Sequence, residues 1–326
     1  MSDVNKPLVT VAILTYNGET YLRQILQQLQ IQKVDGDVEV LVIDSGSTDD
    51  TLRIVREFPD VKLHQISNQE FGHGRTRNLA AQLASGDFVA YLTHDAVPAT
   101  EKWLKELLAP FAISDRIVAV MGKQVPRAGA FPLQKYEING VFNGFGPDFG
   151  TSLFYLDDFV QDEGVLGAIS FYSDVNSAAR RHFLLNVVAY RDVRYAEDQL
   201  FGRDVVQAGY IKAYAPRAIV EHSNDLDRTE YGRRIFDETV GLREIGTAIP
   251  VMSRRSQAKL ALRGIAGDSV RIIQDRSIGW KRKLFWLIVN PAYQLTKWSS
   301  YRRSTLVPLH DMEAINAGSL EHSRKR

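Results

Sequence analysis

The chain has 326 residues, 44% of them hydrophobic, with 40 basic and 39 acidic side chains and a formal net charge of +1. That length suits one large core with an appendage, and the near-neutral balance argues against a general nucleic-acid binder. Cysteine is absent, which excludes a disulfide framework, a thiolate nucleophile and a Cys-ligated zinc, and fits a reducing cytoplasm.

The opening Met-Ser-Asp-Val-Asn-Lys-Pro lacks the basic-then-apolar pattern of a signal peptide. No apolar run approaches the roughly 18 residues needed to span a bilayer, so a cytoplasmic protein is expected. Val9 to Leu14 reads as a buried strand. Leu22, Ile25, Leu26 and Leu29 then recur at the spacing of an amphipathic helix. Val38 to Ile43 is a second strand, and Ser47 to Asp50 reads as an N-cap before a helix carrying Leu52, Val55 and Phe58 and closed by Pro59. Val61 to Ile66 is a strand, Thr76 to Ala84 a helix, Phe88 to Leu92 a strand, Ala99 to Ala112 a helix and Ile117 to Met121 a strand. This alternation predicts right-handed crossovers and a largely parallel sheet, a doubly wound half covering residues 1–121.

Residues 122–172 carry Gly129, Pro132, Gly140, Gly144, Gly146, Pro147 and Gly150 among aromatics without a clean period, as loops near a site do. Helices are expected near Ser177 to Leu185 and Asp198 to Ala208, with short strands at Ile211 to Ala215 and Ala218 to Glu221. From Asp225 the chain reads as helical and basic. Twelve Lys or Arg against two acids fall between Arg254 and Arg303, so this extension has a partner unlike that of the body. Cations mixed with Trp280, Phe285, Trp286 and Trp298 suit an anionic membrane surface, and equally an oligomerisation or packing helix.

Two strands end in acids, Asp44 and Asp95, and strand ends line the ligand crevice of open α/β sheets. Acids there suit a divalent cation, a base edge or a general base. The dinucleotide fingerprint fails at Gly72 to Arg77, where Arg replaces the third Gly, and the P-loop pattern is missing. A dehydrogenase or P-loop kinase is thereby disfavoured.

Taken in order, Thr15-Tyr16-Asn17, Asp44-Ser45-Gly46-Ser47-Thr48-Asp49, Gly74 to Asn78, Thr93-His94-Asp95 and Ala196-Glu197-Asp198-Gln199 resemble family 2 inverting glycosyltransferases. Phe71 to Asn78 and Tyr172 to Ala178 resemble the rhamnosyltransferase branch of that family, and the whole resemblance runs from residue 7 to 245. It implies a GT-A nucleotide-sugar-binding fold, α/β with a central mostly parallel sheet, over residues 1–224. Its nucleotide half would be 1–121 and its acceptor half 122–224, followed by a helical extension at 225–326.

In such a fold Thr15, Tyr16 and Asn17 would hold base and ribose, and Asp44 would accept from the imide N–H of uracil or thymine; the alternative is that Asp44 caps its own loop. Asp49 and Asp50 read as caps. Arg77, and less so Arg75, would face the diphosphate from a helix start, against ordinary surface pairing. Asp95 matches the last acid of the family's Asp-x-Asp signature, which holds Mg²⁺ or Mn²⁺, but Thr93 occupies the first acidic position. His222 stands where the family often supplies a metal-binding His. Asp198 is the expected catalytic base, with Glu197 raising its proton affinity or capping the helix.

The expected reaction is inverting transfer of L-rhamnose from a dTDP or UDP carrier to a hydroxyl of a cell-surface polysaccharide or its lipid-linked precursor. Rivals are transfer of galactofuranose or hexosamine, a nucleotidyltransferase, and a non-catalytic nucleotide-sugar module.

Overall fold

The computed structural model describes residues 8–157, 163–224 and 226–324. Asp225, where the sequence places the start of the extension, and the opening residues 1–7 lie outside them.

The chain forms two compact units. The first comprises Met1–Gly129 and Lys135–Ser223, the second Ala130–Gln134 and Asn224–Arg326. Among the described residues the first unit is built on one nine-stranded sheet: β1 (Val9–Thr15), β2 (Val38–Asp44), β3 (Val61–Gln65), β4 (Phe88–Thr93), β5 (Val97–Pro98), β6 (Ile117–Val125), β7 (Ser152–Phe154), β8 (Asn176–Arg180) and β9 (Ile211–Glu221). The order across the sheet is β3-β2-β1-β4-β8-β6-β9-β5, with β7 also on β9. Strands β1 to β4, β6 and β9 share one direction; β5, β7 and β8 oppose it.

Period-two alternation divides the core between the faces. Val9, Val11 and Ile13 of β1 pack with Leu22, Ile25 and Leu26 of helix Glu19–Gln30 and with Trp103 and Leu104 of helix Trp103–Leu108. On the other face Ala12, Leu41 and Ile43 join Ala80 and Ala81 of helix His73–Leu83 and Phe201 and Val205 of helix Glu197–Gln207.

The helix read at Ser177 to Leu185 is corrected by the structure: Asn176–Arg180 is a strand, and only Arg181–Asn186 is helical. Its sequence, Asn-Ser-Ala-Ala-Arg, has little intrinsic strand preference; pairing with β4 on one side and β6 on the other decides its conformation. The helix expected from Ala99 begins only at Trp103 and ends in a 3₁₀ turn, Ala109–Ala112. Residues 211–221 form one strand rather than two, with a register shift against β6 between Gly122 and Lys123. The loops expected at 122–172 contain helices Pro132–Asn143 and Glu163–Ser170.

That shift leaves ladder groups unpaired, and the Asn176 side chain, fully buried, supplies their partners. Its amide N donates to the carbonyls of Ala218 (2.7 Å) and Lys123 (3.2 Å), while its oxygen accepts from the Trp103 indole (2.9 Å). Gly122 permits the approach, since a Cβ there would lie 2.2 Å from that amide nitrogen. Asn176→Leu strands the indole N–H and the Ala218 carbonyl in the core, so we expect it to cost about 2–5 kcal/mol. Chemical denaturation checks this; a loss below about 1 kcal/mol would show that the irregularity needs no staple.

In the second unit, helices Arg228–Glu244, Arg254–Gln274 and Trp280–Leu306 are followed by Met312–Gly318 and Leu320–Arg324. Asp227 opens the first with a reciprocal capping box to Glu230. Phe131 explains why residues 130–134 belong here: its ring packs against Tyr231, Trp286 and Tyr293 at 5.3–5.9 Å between centroids.

Candidate active site

The strands that share a direction end at one edge of the sheet, and the chemistry-bearing residues gather there. Thr15 and Asp44 are register partners at the ends of β1 and β2, Thr93 ends β4, and Val125 pairs with Glu221 at the ends of β6 and β9. Asp174 precedes antiparallel β8, whose start lies at this same edge.

Asp44 is fully buried and organises its loop. One carboxylate oxygen accepts from the Thr15 hydroxyl (3.0 Å) and the Ser47 hydroxyl; the other accepts from the N–H groups of Gly46 (3.1 Å) and Ser47 (3.0 Å). Asn17, at a positive φ of 51°, lies across the same loop, its side-chain oxygen accepting from Thr48 N–H at 2.9 Å. Asp49 caps, as its sequence position suggested, accepting from Glu19 N–H (3.1 Å) and Thr51 N–H (3.0 Å). Tyr16 is half-buried and Asn17 exposed, so loops 15–17 and 45–49 form one rigid, partly open rim.

At the next strand end, the Asp95 carboxylate lies 3.4 Å from Nε2 of His222. The other ring nitrogen of His222, Nδ1, meets the Gln124 side-chain oxygen at 3.0 Å, and the Gln124 amide donates to Ser173 Oγ at 2.9 Å. This chain makes Nδ1 a donor and turns Nε2 toward Asp95, the ring orientation a metal-ligating histidine requires. Burial opposes ionisation of Asp95, but His222, and to a smaller extent His94, hold the carboxyl well below the usual carboxylate range. Arg127 braces both loops: its guanidinium donates to the Asp95 and Ser223 carbonyls and lies 3.7 Å from the Tyr21 ring centroid. No group of three or more His, Asp or Glu placed to hold a metal ion is found among the described residues. Two protein donors suit a hard cation whose remaining positions are filled by phosphate oxygens and water.

Arg77 lies elsewhere than the sequence reading set it. Its guanidinium is buried, pairing with Asp174 at 2.9 Å and with Glu197, and donating to the His73 carbonyl at 3.1 Å. Asp174 also accepts from Ser177 Oγ (2.6 Å) and the Tyr190 hydroxyl (2.8 Å). Arg77 therefore meets two carboxylates rather than an open diphosphate site, and acts as a positioning residue. Arg75 pairs on the surface with Asp192 at 3.3 Å.

Asp198 follows directly, in the first turn of helix Glu197–Gln207, after Ala196 held at a φ of 63°. A left-handed alanine is uncommon, and it turns the chain so that Glu197 enters the buried pair while Asp198 is left partly exposed. Burial pushes the Asp198 carboxyl up to about 8, reinforced by the Glu197 and Asp174 charges and opposed by Arg77. One guanidinium faces three carboxylates, and that excess of negative charge raises the proton affinity of Asp198.

Asp174, Gln124 and Arg127 escaped the sequence reading. Asp174 sits inside the Tyr172 to Ala178 motif that drew attention for its resemblance; Gln124 and Arg127 lie in a stretch with no periodic signal.

With this geometry in view, residues 10–185 match the model of glycosyl transferase family 2. The chain belongs to that family. It is 30% identical over 234 residues to the O-antigen chain rhamnosyltransferase of Salmonella typhimurium, covering 71% of each chain, and 31% identical over 237 residues to that of Salmonella anatum, covering 72% of each. The mannosyltransferase of Pyrobaculum calidifontis, solved with GDP-Man and Mn²⁺, superposes with a TM-score of 0.55 at 18% identity over 91% of this chain and 88% of that one. S. aureus TarS 1–349 with UDP-GlcNAc gives 0.52 at 19% identity over 95% and 92%. These likenesses identify the fold as GT-A, and the family makes this chain a glycosyltransferase.

The Asp198 environment carries a measurable liability. An aspartate of the unfolded chain titrates at about 4, so it sheds its proton long before folded Asp198 does, and the native state loses stability as pH climbs from there to about 8. Asp198→Asn removes the titration. Its melting temperature should match the parent's at about pH 4 and exceed it increasingly toward pH 8. A parent as stable as the variant at the upper end refutes the raised proton affinity.

Proposed function

We propose that this glycosyltransferase moves L-rhamnose, with inversion, from a dTDP or UDP carrier to a hydroxyl of a polysaccharide or its lipid-linked precursor. The observation that carries the mechanism is the partly exposed Asp198 set on a buried Arg77–Asp174–Glu197 network. Support for the sugar comes from the two Salmonella relatives, both named rhamnosyltransferases and aligned over most of the chain.

In this reading the rim of Thr15, Tyr16, Asn17 and the loop organised by Asp44 takes the base and ribose. Asp95 and His222 hold Mg²⁺ or Mn²⁺, which supplies charge neutralisation for the departing diphosphate. The missing first acid, Thr93, is offset by His222, whose Nε2 is already turned toward the Asp95 carboxylate. Asp198 takes the proton of the acceptor hydroxyl as that oxygen bonds to the anomeric carbon and the carbon–phosphate oxygen bond opens on the opposite face. One base suffices, because inversion forms no covalent sugar intermediate. A carboxyl with raised proton affinity is a better acceptor than an ordinary aspartate, and kcat/KM should climb with pH toward about 8. The cation is supported by the Pyrobaculum mannosyltransferase, whose complex with GDP-Man includes Mn²⁺.

Purified protein given dTDP-rhamnose, UDP-sugars and GDP-sugars, with and without chelator, tests this reading. Release of dTDP or UDP should require the metal and fall by about 10³-fold or more in Asp198→Asn while donor binding persists. Asp95→Ala should lose metal-dependent donor binding. Undiminished turnover by Asp198→Asn, or equal turnover in chelator, overturns it; release from a hexosamine or galactofuranose donor alone would reassign the sugar.

A further inference from the structure

The helical unit buries polar side chains beside its apolar core and displays apolar ones outward. On its paired helices Arg254–Gln274 and Trp280–Leu306, the inward positions include Asp268, Asn290 and Gln294, the last two 0% and 3% exposed. The Asn290 amide donates to the Ile265 carbonyl (3.0 Å) and Ser269 Oγ (3.1 Å), and the Gln294 amide donates to Asp268 at 2.5 Å. The outward positions are Leu262, Val270 and Ile273 on one helix and Trp280, Leu284, Ile288 and Leu295 on the other. Ile288 is 70% and Trp280 72% exposed, against 8% for inward Trp286.

These outward residues follow helical spacing. At 100° per residue, each set falls within an arc of roughly 80°, with Phe285 flanking the second. A helix that buries hydrogen-bonded amides and displays a continuous aliphatic stripe is matched to an apolar neighbour, because scattered surface Leu or Ile would not share a face. Exposed Arg255 and Lys259 lie on the arc that carries Leu262, and Lys281 borders the Trp280 stripe. Across Arg254 to Arg303 cations outnumber acids twelve to two. A second copy of this chain would bring one basic surface against another, whereas a film of anionic headgroups over acyl chains offers complementary charge and an apolar layer together. No helix among the described residues is long and apolar enough to cross a membrane, so the stripe lies along a surface.

We propose that the outward face of these two helices docks in the plane of an anionic lipid bilayer, with Trp280, Leu284, Phe285 and Ile288 inserted among the upper acyl carbons and the flanking Arg and Lys on the headgroup phosphates. The inference rests on the helical unit alone and is independent of the sugar assigned above.

The test is flotation of the full chain with vesicles of phosphatidylcholine, or of equal parts phosphatidylcholine and phosphatidylglycerol, alongside tryptophan emission and analytical ultracentrifugation. The native chain should float with anionic vesicles, shift its emission to the blue, and bind neutral vesicles or high-salt samples at least about tenfold more weakly. A variant combining Trp280→Ser, Leu284→Ser and Ile288→Ser replaces only side chains more than half exposed, so it should keep the parent's melting temperature and nucleotide release while losing vesicle binding by about tenfold or more. Absence of vesicle binding by the native chain overturns the proposal, as does unchanged binding by the variant. A dimer that these substitutions dissociate, without vesicle binding, would make a second copy the occupant instead.

Discussion

The candidate site depends on one buried cation. Arg77, on a helix that follows β3, reaches Asp174 at the threshold of β8 and Glu197 at the start of helix Glu197–Gln207. Three segments distant in the chain are fixed by that guanidinium, and removal of Arg77 itself would leave uncompensated carboxylates in the core at a cost of about 3–5 kcal/mol. The excess of carboxylates over cations in this network raises the proton affinity of Asp198. Rigidity and basicity therefore have a common source, and the site is held at the expense of stability lost as pH rises from about 4 to about 8, a trade common where a group must be reactive.

Much of this was legible from residues alone. Strands such as Val9 to Thr15 and Val38 to Asp44 announce themselves as apolar runs ending in polar residues, and helix Glu19–Gln30 by its Leu and Ile spacing. Asp44, Asp95 and His222 could be placed at strand ends because strand ends are local features. The misread segments are those settled by long-range pairing: Asn176–Arg180 is a strand because β4 and β6 flank it, not because of its own composition. Arg77 shows the same limit. A helix start rich in Gly and Arg suggests an anion site, and only the fold reveals that two carboxylates from residues nearly a hundred or more positions away already occupy it.

The second strand-end pair shows how a departure from a motif is absorbed. With Thr93 in the first acidic position, Asp95 meets an imidazole set by Gln124, itself set by Ser173, and braced from behind by Arg127. None of these supporting residues is chemically conspicuous in sequence. Each matters because it dictates which atom of its neighbour is left available. The same logic applies to the Asn176 amide under the Gly122 irregularity, where a side chain completes hydrogen bonds that the ladder cannot.

The central place of β8 has a consequence for how the molecule comes into being. Strands β1 to β4 are complete by residue 93, yet the flank of β4 stays open until residues 176–180 arrive, and β6 cannot enter the sheet before them. During synthesis the nascent chain thus carries an unsealed strand border while more than eighty further residues are added, the kind of border that recruits foreign strands. The last ladder to close in the middle of the sheet is the one that brings Asp174 to Arg77, so a polypeptide still vulnerable to misassembly has no assembled catalytic network, and one that has the network has already sealed its border.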